Sequence, residues 1–328
     1  MLVRRSVLLA LAGVLAAAGC KDVEQRDPAP VLALAAFDRG QPGVRAATIP
    51  LPNDLALRGA PYAGGLSATF FDYIDDGGWP ESFAEWAPFP GIAVPVWAQA
   101  FDEETGAYAA SAAPTAIDTD TITADTAVLV RVTDETPAPI PVAMVQLVRP
   151  SDAVAYIILR PVGETGPLTS LPPGRYVFAV RGGPNGVRAL FEDVSVPLQA
   201  DRGIALIAPN RDLSQPENWP PRPPRPEGVT EEEFQAQFEA QMNQLNTLRL
   251  GYASPLEWSR VADEATCRAG VPLPLTEPYP GRCWLAGPPA AIMPAFDAVD
   301  LAFPHEEIAS IQTFEVVADA AVREEVTP

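Results

Sequence analysis

The chain has 328 residues, with 22 Lys and Arg against 42 Asp and Glu, a formal net charge of −20. It is 48% hydrophobic, enough for a sizeable core and too much for global disorder. No basic patch is evident to neutralise phosphates, so nucleic acid is not an expected partner, and an acidic surface is disfavoured at anionic lipid. The 38 prolines and 23 glycines argue against a helical bundle and for many short strands joined by turns.

Met1 to Cys20 reads MLVRRSVLLALAGVLAAAGC. Arg4 and Arg5 form a positive n-region. Val7 to Ala18 is an apolar run of about a dozen residues, the size of a signal-peptide core and short for a membrane span. Ala17-Ala18-Gly19-Cys20 resembles the lipobox of bacterial lipoproteins, with Ala17 where leucine is usual. The resemblance implies cleavage before Cys20 and acylation of its thiol and new amino group. Several acyl chains anchor stably, because each buried CH₂ contributes about 0.8 kcal/mol. The alternative is an ordinary secretory signal with Cys20 incidental. On the lipoprotein reading, residues 1–19 are the signal peptide and 20–32 a flexible tether. Lys21, in place of the aspartate that retains such proteins in the inner membrane, favours the outer membrane.

The body is expected over residues 33–316. Val31 to Phe37 (VLALAAF) reads as a first buried strand. Ile49-Pro50-Leu51-Pro52-Asn53-Asp54-Leu55 is rigid and non-helical, because its prolines fix φ and push the preceding residues extended. Leu171 to Val180 (LPPGRYVFAV) places Tyr176, Phe178 and Val180 on one strand face, with Val177 and Ala179 on the other. Ala127 to Val132 places Val128, Val130 and Val132 on one face, and Leu129 and Arg131 on the other. Ala143 to Val148 and Ala153 to Leu159 read as further strands, and Ile308 to Phe314 as a closing one. No long helices separate them to make parallel crossovers, so an antiparallel sandwich is expected.

The IPLPND stretch after a tether, the Ala127–Val132 strand, the PPGRYVFAV strand and the Ile308–Phe314 strand resemble the N-terminal Ig-like domain of bacterial virulence-factor lipases, a family of exported lipoproteins. In the family's strand signature the tyrosine comes one residue later. The resemblance implies an Ig-like antiparallel β-sandwich in the cell envelope. The chain ends where the resembled domain ends, so it also implies no catalytic lipase part.

Pro216 to Pro226 (PENWPPRPPRP) carries six prolines in eleven residues and is expected in polyproline II. It reads as a stiff connector; PPRPPRP also looks like an SH3 ligand, though such partners are not expected outside a bacterial membrane. Thr230 with Glu233 forms a capping box opening a helix over residues 231–250, with Phe234, Phe238, Met242, Leu245 and Leu248 at helical spacing and Gly251 as its stop. This helix lacks the basic face of a membrane-surface helix, so packing on the sandwich is expected. Residues 252–304 form a Pro- and Gly-rich excursion and a weak candidate for a binding surface. Residues 317–328 form an acidic tail.

Candidate chemistry is sparse. No G-x-S-x-G is present, the nearest approach being Gly65-Leu66-Ser67-Ala68-Thr69, and His305 is the single histidine. Neither H-x-x-x-H nor a Cys/His cluster is present, so no catalytic residue, metal ligand or cofactor is assigned. Asp72 to Gly78 (DYIDDGG) and Asp118 to Asp125 (DTDTITAD) are acidic turns; Ca²⁺ is one reading, local backbone capping the other. The reading that follows is a lipid-anchored, non-catalytic binding or structural module held by its acyl anchor, its protein or surface ligand unidentified. A cryptic carboxylate-dependent hydrolase and a Ca²⁺-dependent adhesion module are the alternatives.

With Cys20 acylated, Cys267 and Cys283 remain as a pair. They close a loop of about fifteen residues, a disulfide worth roughly 3 kcal/mol in an exported protein. A two-cysteine metal site is the rival and needs further ligands. Alkylation mass spectrometry of the exported chain checks this: both thiols should react only after reduction, and two freely reactive thiols would remove the bridge.

Overall fold

The structure, a computed structural model, describes residues 31–35, 52, 79–86, 89–192, 194–226, 228–253, 258–261, 283–286 and 293–318. The chain is mainly β. Its strands are β1 (Val31–Ala35), β2 (Trp79–Pro80), β3 (Ile92–Asp102), β4 (Ala107–Ser111), β5 (Ala116–Asp118), β6 (Ala127–Arg131), β7 (Pro139–Val148), β8 (Val154–Gly163), β9 (Gly166–Pro167), β10 (Gly174–Arg181), β11 (Arg188–Phe191), β12 (Val194–Ala200), β13 (Trp258–Val261), β14 (Cys283–Ala286) and β15 (Ile308–Val317). The helices are α1 (Arg202–Ile207), α2 (Glu231–Ala253) and α3 (Ala295–Val299).

Thirteen strands join into one sheet in the order β2-β15-β10-β6-β7-β8-β3-β1-β12-β11-β5, with β4 beside β3 and β9 beside β8. β13 and β14 form a separate antiparallel pair. β1 lies parallel to β12 and β15 parallel to β2; the other described pairings are antiparallel. The mainly β, sandwich-like body follows the expectation, but the sheet is mixed and not wholly antiparallel, and the short helices α1 and α3 join the expected helix α2. Its two layers are portions of a single curled, mixed sheet.

The curl is drawn together just past β10. The Gly182 amide donates to Glu307 O at 2.8 Å, and the Gly183 amide to Leu198 O at 2.8 Å, so β12 meets the β10–β15 end of the sheet. A Cβ at Gly182 would sit 2.9 Å from both the Ala309 Cβ and the Leu198 carbonyl oxygen. Only glycine permits that approach.

Inside the curl lies an apolar core drawn from Ile92, Val94 and Val96 of β3, Ile157 and Leu159 of β8, Tyr176, Phe178 and Val180 of β10, and Leu198 of β12. Its aromatic end is closed by Trp79, Phe83 and Trp86, with Trp86 set edge-on to Phe314 at 5.8 Å. The opposite faces of β6, β10 and β15 are also covered. Val128, Val130, Val177, Ala179 and Ile311 pack with Ile204 and Ile207 of α1, Leu248 and Tyr252 of α2, and Phe296 and Val299 of α3. The helices thus add a third layer over the β15-β10-β6 part of the sheet, near its β2 end.

The predicted capping box is present: the Glu233 amide donates to Thr230 Oγ1 at 3.2 Å, and the Thr230 amide to Glu233 Oε2 at 3.1 Å. The helix passes the expected stop at Gly251 and runs to Ala253. Tyr252 is the reason: it is fully buried, and its hydroxyl donates to Ile311 O at 3.3 Å. That packing outweighs the roughly 1 kcal/mol that glycine costs inside a helix. One turn earlier Arg249, almost wholly buried, donates to Asn246 Oδ1 at 2.9 Å and to Asn210 Oδ1 at 2.8 Å, tying α2 to the loop after α1.

Tyr176 opens the most enclosed strand. Its ring stacks on Phe314 at 5.6 Å, and its hydroxyl donates to Pro172 O at 2.7 Å, reaching back four residues across the Pro-Pro-Gly turn. Such a corner pins a turn to the strand that follows it. Burial pushes its pKa from 10.0 to about 12. The neutral phenol is therefore favoured by folding, and this contribution is complete below pH 10 and lost as pH rises through about 12. Tyr176→Phe is expected to cost about 1 kcal/mol at neutral pH, read by denaturant unfolding. The variant should also lose less stability than the parent above pH 10.

Candidate functional site

The residues that carry the anchoring and bridging expectations fall outside what the structure describes. Cys20, the tether and Cys267 lie beyond the described residues. So do the DYIDDGG turn, Gly65 to Thr69, and Ile49 to Leu55 except for Pro52, which is buried. Cys283 opens β14, with Val261 of β13 as its register partner.

The second acidic turn is fully visible: the Asp118 carboxylate caps its own backbone, while Asp120 and Asp125 are exposed. Asp118 ends β5 and accepts from the Asp120 amide at 3.3 Å, capping a single 3-10 turn at Thr119–Thr121. Thr121 Oγ1 donates to Asp118 O at 2.6 Å and accepts from the Arg188 amide at 3.0 Å, tying the turn to β11. Thr123 and Thr126 complete the loop: Thr126 Oγ1 donates to Thr121 O at 2.5 Å and accepts from the Thr123 amide at 2.9 Å. Local satisfaction of this kind is why Asp and Thr gather in turns. Among the described residues, no group of three or more His, Cys, Asp or Glu is placed to hold a metal ion.

Other turn carboxylates behave alike. Asp102, in the β3–β4 turn, is held below the usual carboxylate range first by the Thr105 hydroxyl and then by the Glu104 and Thr105 amides. Asp212 is lowered mainly by the Ser214 amide and hydroxyl. Both are exposed, and both are used to fasten loops.

His305 is the one site that sequence reasoning passed over as unpartnered. It lies between α3 and β15, stacked on Phe296 at 5.3 Å. Nδ1 is 2.9 Å from each carboxylate oxygen of Asp300, whose Oδ1 also accepts from the His305 amide at 2.8 Å. A histidine oriented by aspartate is half of a hydrolytic triad, in which the other ring nitrogen must face a nucleophile. Here Nε2 faces the Glu306 carboxylate at 3.6 Å. The ring is clamped between two acids and an aromatic face, an arrangement that fixes the entry into β15. The spacing of Asp300 and His305, five apart around Pro304, is a signal that could have suggested the loop closure.

Among the described residues no helix is long and apolar enough to cross a membrane. Compared with models of known families, with curated proteins and with solved structures, the chain matches none.

The capping role of the acidic turn has a direct check. Asp118→Ala should lower stability by about 1 kcal/mol, equally in Ca²⁺ and in chelator. A Ca²⁺-dependent rise in Tm that disappears in the variant would instead assign a cation to this turn.

Proposed function

We propose that the chain is a lipid-anchored cell-envelope protein whose mainly β body serves as a non-catalytic binding or structural module at the outer membrane or cell surface. The observation that carries this reading is Met1 to Cys20: two arginines, an apolar run of signal-peptide length, and small residues ending on cysteine. Acylated Cys20 supplies the membrane attachment, and the tether sets the stand-off. β1 begins at Val31, so ten residues separate it from Cys20. Fully extended, they reach roughly 35 Å at 3.3–3.6 Å each.

The site geometry supports the non-catalytic half of the proposal. The lone histidine is held by Asp300, Phe296 and Glu306, and Asp118 of the visible acidic turn by its own backbone. In this reading the resemblance to the N-terminal domain of virulence-factor lipases describes the body.

The test is expression of the full chain in a Gram-negative host, with the N-terminal mass measured alongside membrane fractionation. Triacylated Cys20 in the outer-membrane fraction is the expected result, with Cys20→Ser shifting the chain out of that fraction. An unmodified soluble product cleaved elsewhere would overturn the proposal.

A further inference from the structure

Three turns share one end of the sheet, and the pairing register places the start of β1 among them. Val31 pairs with Ala100, so β1 enters just short of the β3–β4 turn, where Asp102 pairs with Ala107. β12 runs parallel to β1 with Leu198 beside Ala33, which puts Val194 and the β11–β12 turn at the same level. β8 meets β3 with Val154 opposite Trp97, so the β7–β8 turn that precedes Val154 lies there as well.

The connection from β4 to β5 laces these turns together. The Ala113 amide donates to Asp152 O at 2.7 Å, and the Thr115 amide and hydroxyl donate to Leu190 O at 2.9 and 3.0 Å. Ala113 and Pro114 are buried as the connection crosses. One segment thus joins the β7–β8 turn to β11 at the end where β1 begins.

The opposite end is made by the β6–β7 turn, the β8–β9 turn and the Pro172–Gly174 turn. Ile92 opens β3 opposite Leu159, close to the β8–β9 hairpin of Gly163 and Gly166. Val142 pairs with Pro161, which carries the N-terminal part of β7 and its turn to β6 to this end, and Tyr176 pairs with Arg131, which carries the start of β10 there. Arg160 Nε donates to Pro90 O at 2.7 Å, and Arg131 Nη2 donates to Pro173 O, fastening this end. The eleven residues of β3 separate the two ends, about 30 Å at roughly 3.3 Å per residue.

Ten residues link Cys20 to Val31. As a flexible chain they span about 18 Å, and fully extended roughly 35 Å. To bring the opposite end of the body to a bilayer, the tether would have to run the length of β3 at nearly full extension. At the near end exposed Glu103, Glu104, Asp152 and Glu192 outnumber exposed Arg149. The tether, and not attraction to headgroups, is therefore what holds that end at the surface.

We propose, resting on the lipid-anchored reading, that the β3–β4, β7–β8 and β11–β12 turns face the lipid headgroups. The β6–β7, β8–β9 and Pro172–Gly174 turns then point away from the bilayer and form the end open to a partner.

The lysine content of the chain makes this measurable. Lys21 is the only lysine. In a Lys21→Arg chain whose Cys20 amino group is acylated, a lysine introduced by Glu103→Lys or Glu164→Lys is the sole target of an amine-reactive dye. Both glutamates are exposed turn residues, one at each end, and each variant should keep the Tm of the parent. The full-length chain, its acylation verified by mass, is bound to preformed phosphatidylcholine vesicles carrying a headgroup energy-transfer acceptor. The dye at position 103 should be quenched at least about threefold more than the dye at position 164, as ends about 30 Å apart require. An acylated, vesicle-bound chain with equal or reversed quenching would overturn the orientation alone. An unacylated chain that stays off the vesicles would overturn the anchoring reading, and the orientation with it.

Discussion

The fold depends on one close approach. Where β10 ends, Gly182 lies between the Ala309 side chain and the Leu198 carbonyl, at distances no Cβ tolerates. This draws β12 against the β10–β15 end of the sheet and converts a long ribbon of strands into an enclosure. The inner core is then sealed by its own sheet. The outer faces of β6, β10 and β15 remain apolar and must be covered from outside, which is what α1, the root of α2 and α3 do. Burying a three-strand patch on both sides removes apolar surface at about 25 cal/mol per Å² on each face. It also fixes the register of the final strand, since a one-residue slip would exchange its two buried faces.

Much of this is written locally. In Gly174–Arg181 the inner residues Tyr176, Phe178 and Val180 and the outer residues Val177 and Ala179 were separable by alternation, as were those of Ala127–Arg131. The capping box was equally readable, whereas the stretch expected in polyproline II opens instead with a 3-10 turn at Pro216–Asn218. What alternation does not contain is the identity of the cover. A strand apolar on both faces says that two layers exist, not which segments supply them. β3 and β12 were missed for a related reason: Pro95 and Pro197 interrupt them, and proline usually demotes a strand. Gly182 carries no signal of its own, because its neighbours Ala309 and Leu198 are far off in sequence. The Asp300–His305 contact was within five residues and so was accessible; it was passed over because a lone histidine was weighed only as a catalyst or a metal ligand.

The scarcity of cations shapes where they are spent. With a net charge of −20 and one lysine, at position 21, arginine does nearly all the positive work. Arg249 ties a helix to a loop, Arg181 joins the end of β10 to Glu307 at 2.6 Å, and Arg188 clamps β11 to β12 through Ser195. Arg249 and Arg188 use the planar fork of guanidinium to satisfy two oxygens at once, which the point charge of lysine does less well. The carboxylates left over cover the surface, or fasten turns through backbone amides as Asp102 and Asp118 do.

The two terminal strands of the sheet are also its shortest on the main path: Trp79–Pro80 at one end and Ala116–Asp118 at the other. One contains a proline with no amide hydrogen to offer, and the other runs straight into a capped turn. At either end of this path a neighbouring copy seeking to extend the sheet would find two or three residues of template, too little to register against. For a chain this rich in strands, crowding at high local density is a hazard of edge-to-edge fibre growth. Truncated borders, together with strong mutual repulsion between like-charged copies, disfavour extension of the sheet from copy to copy.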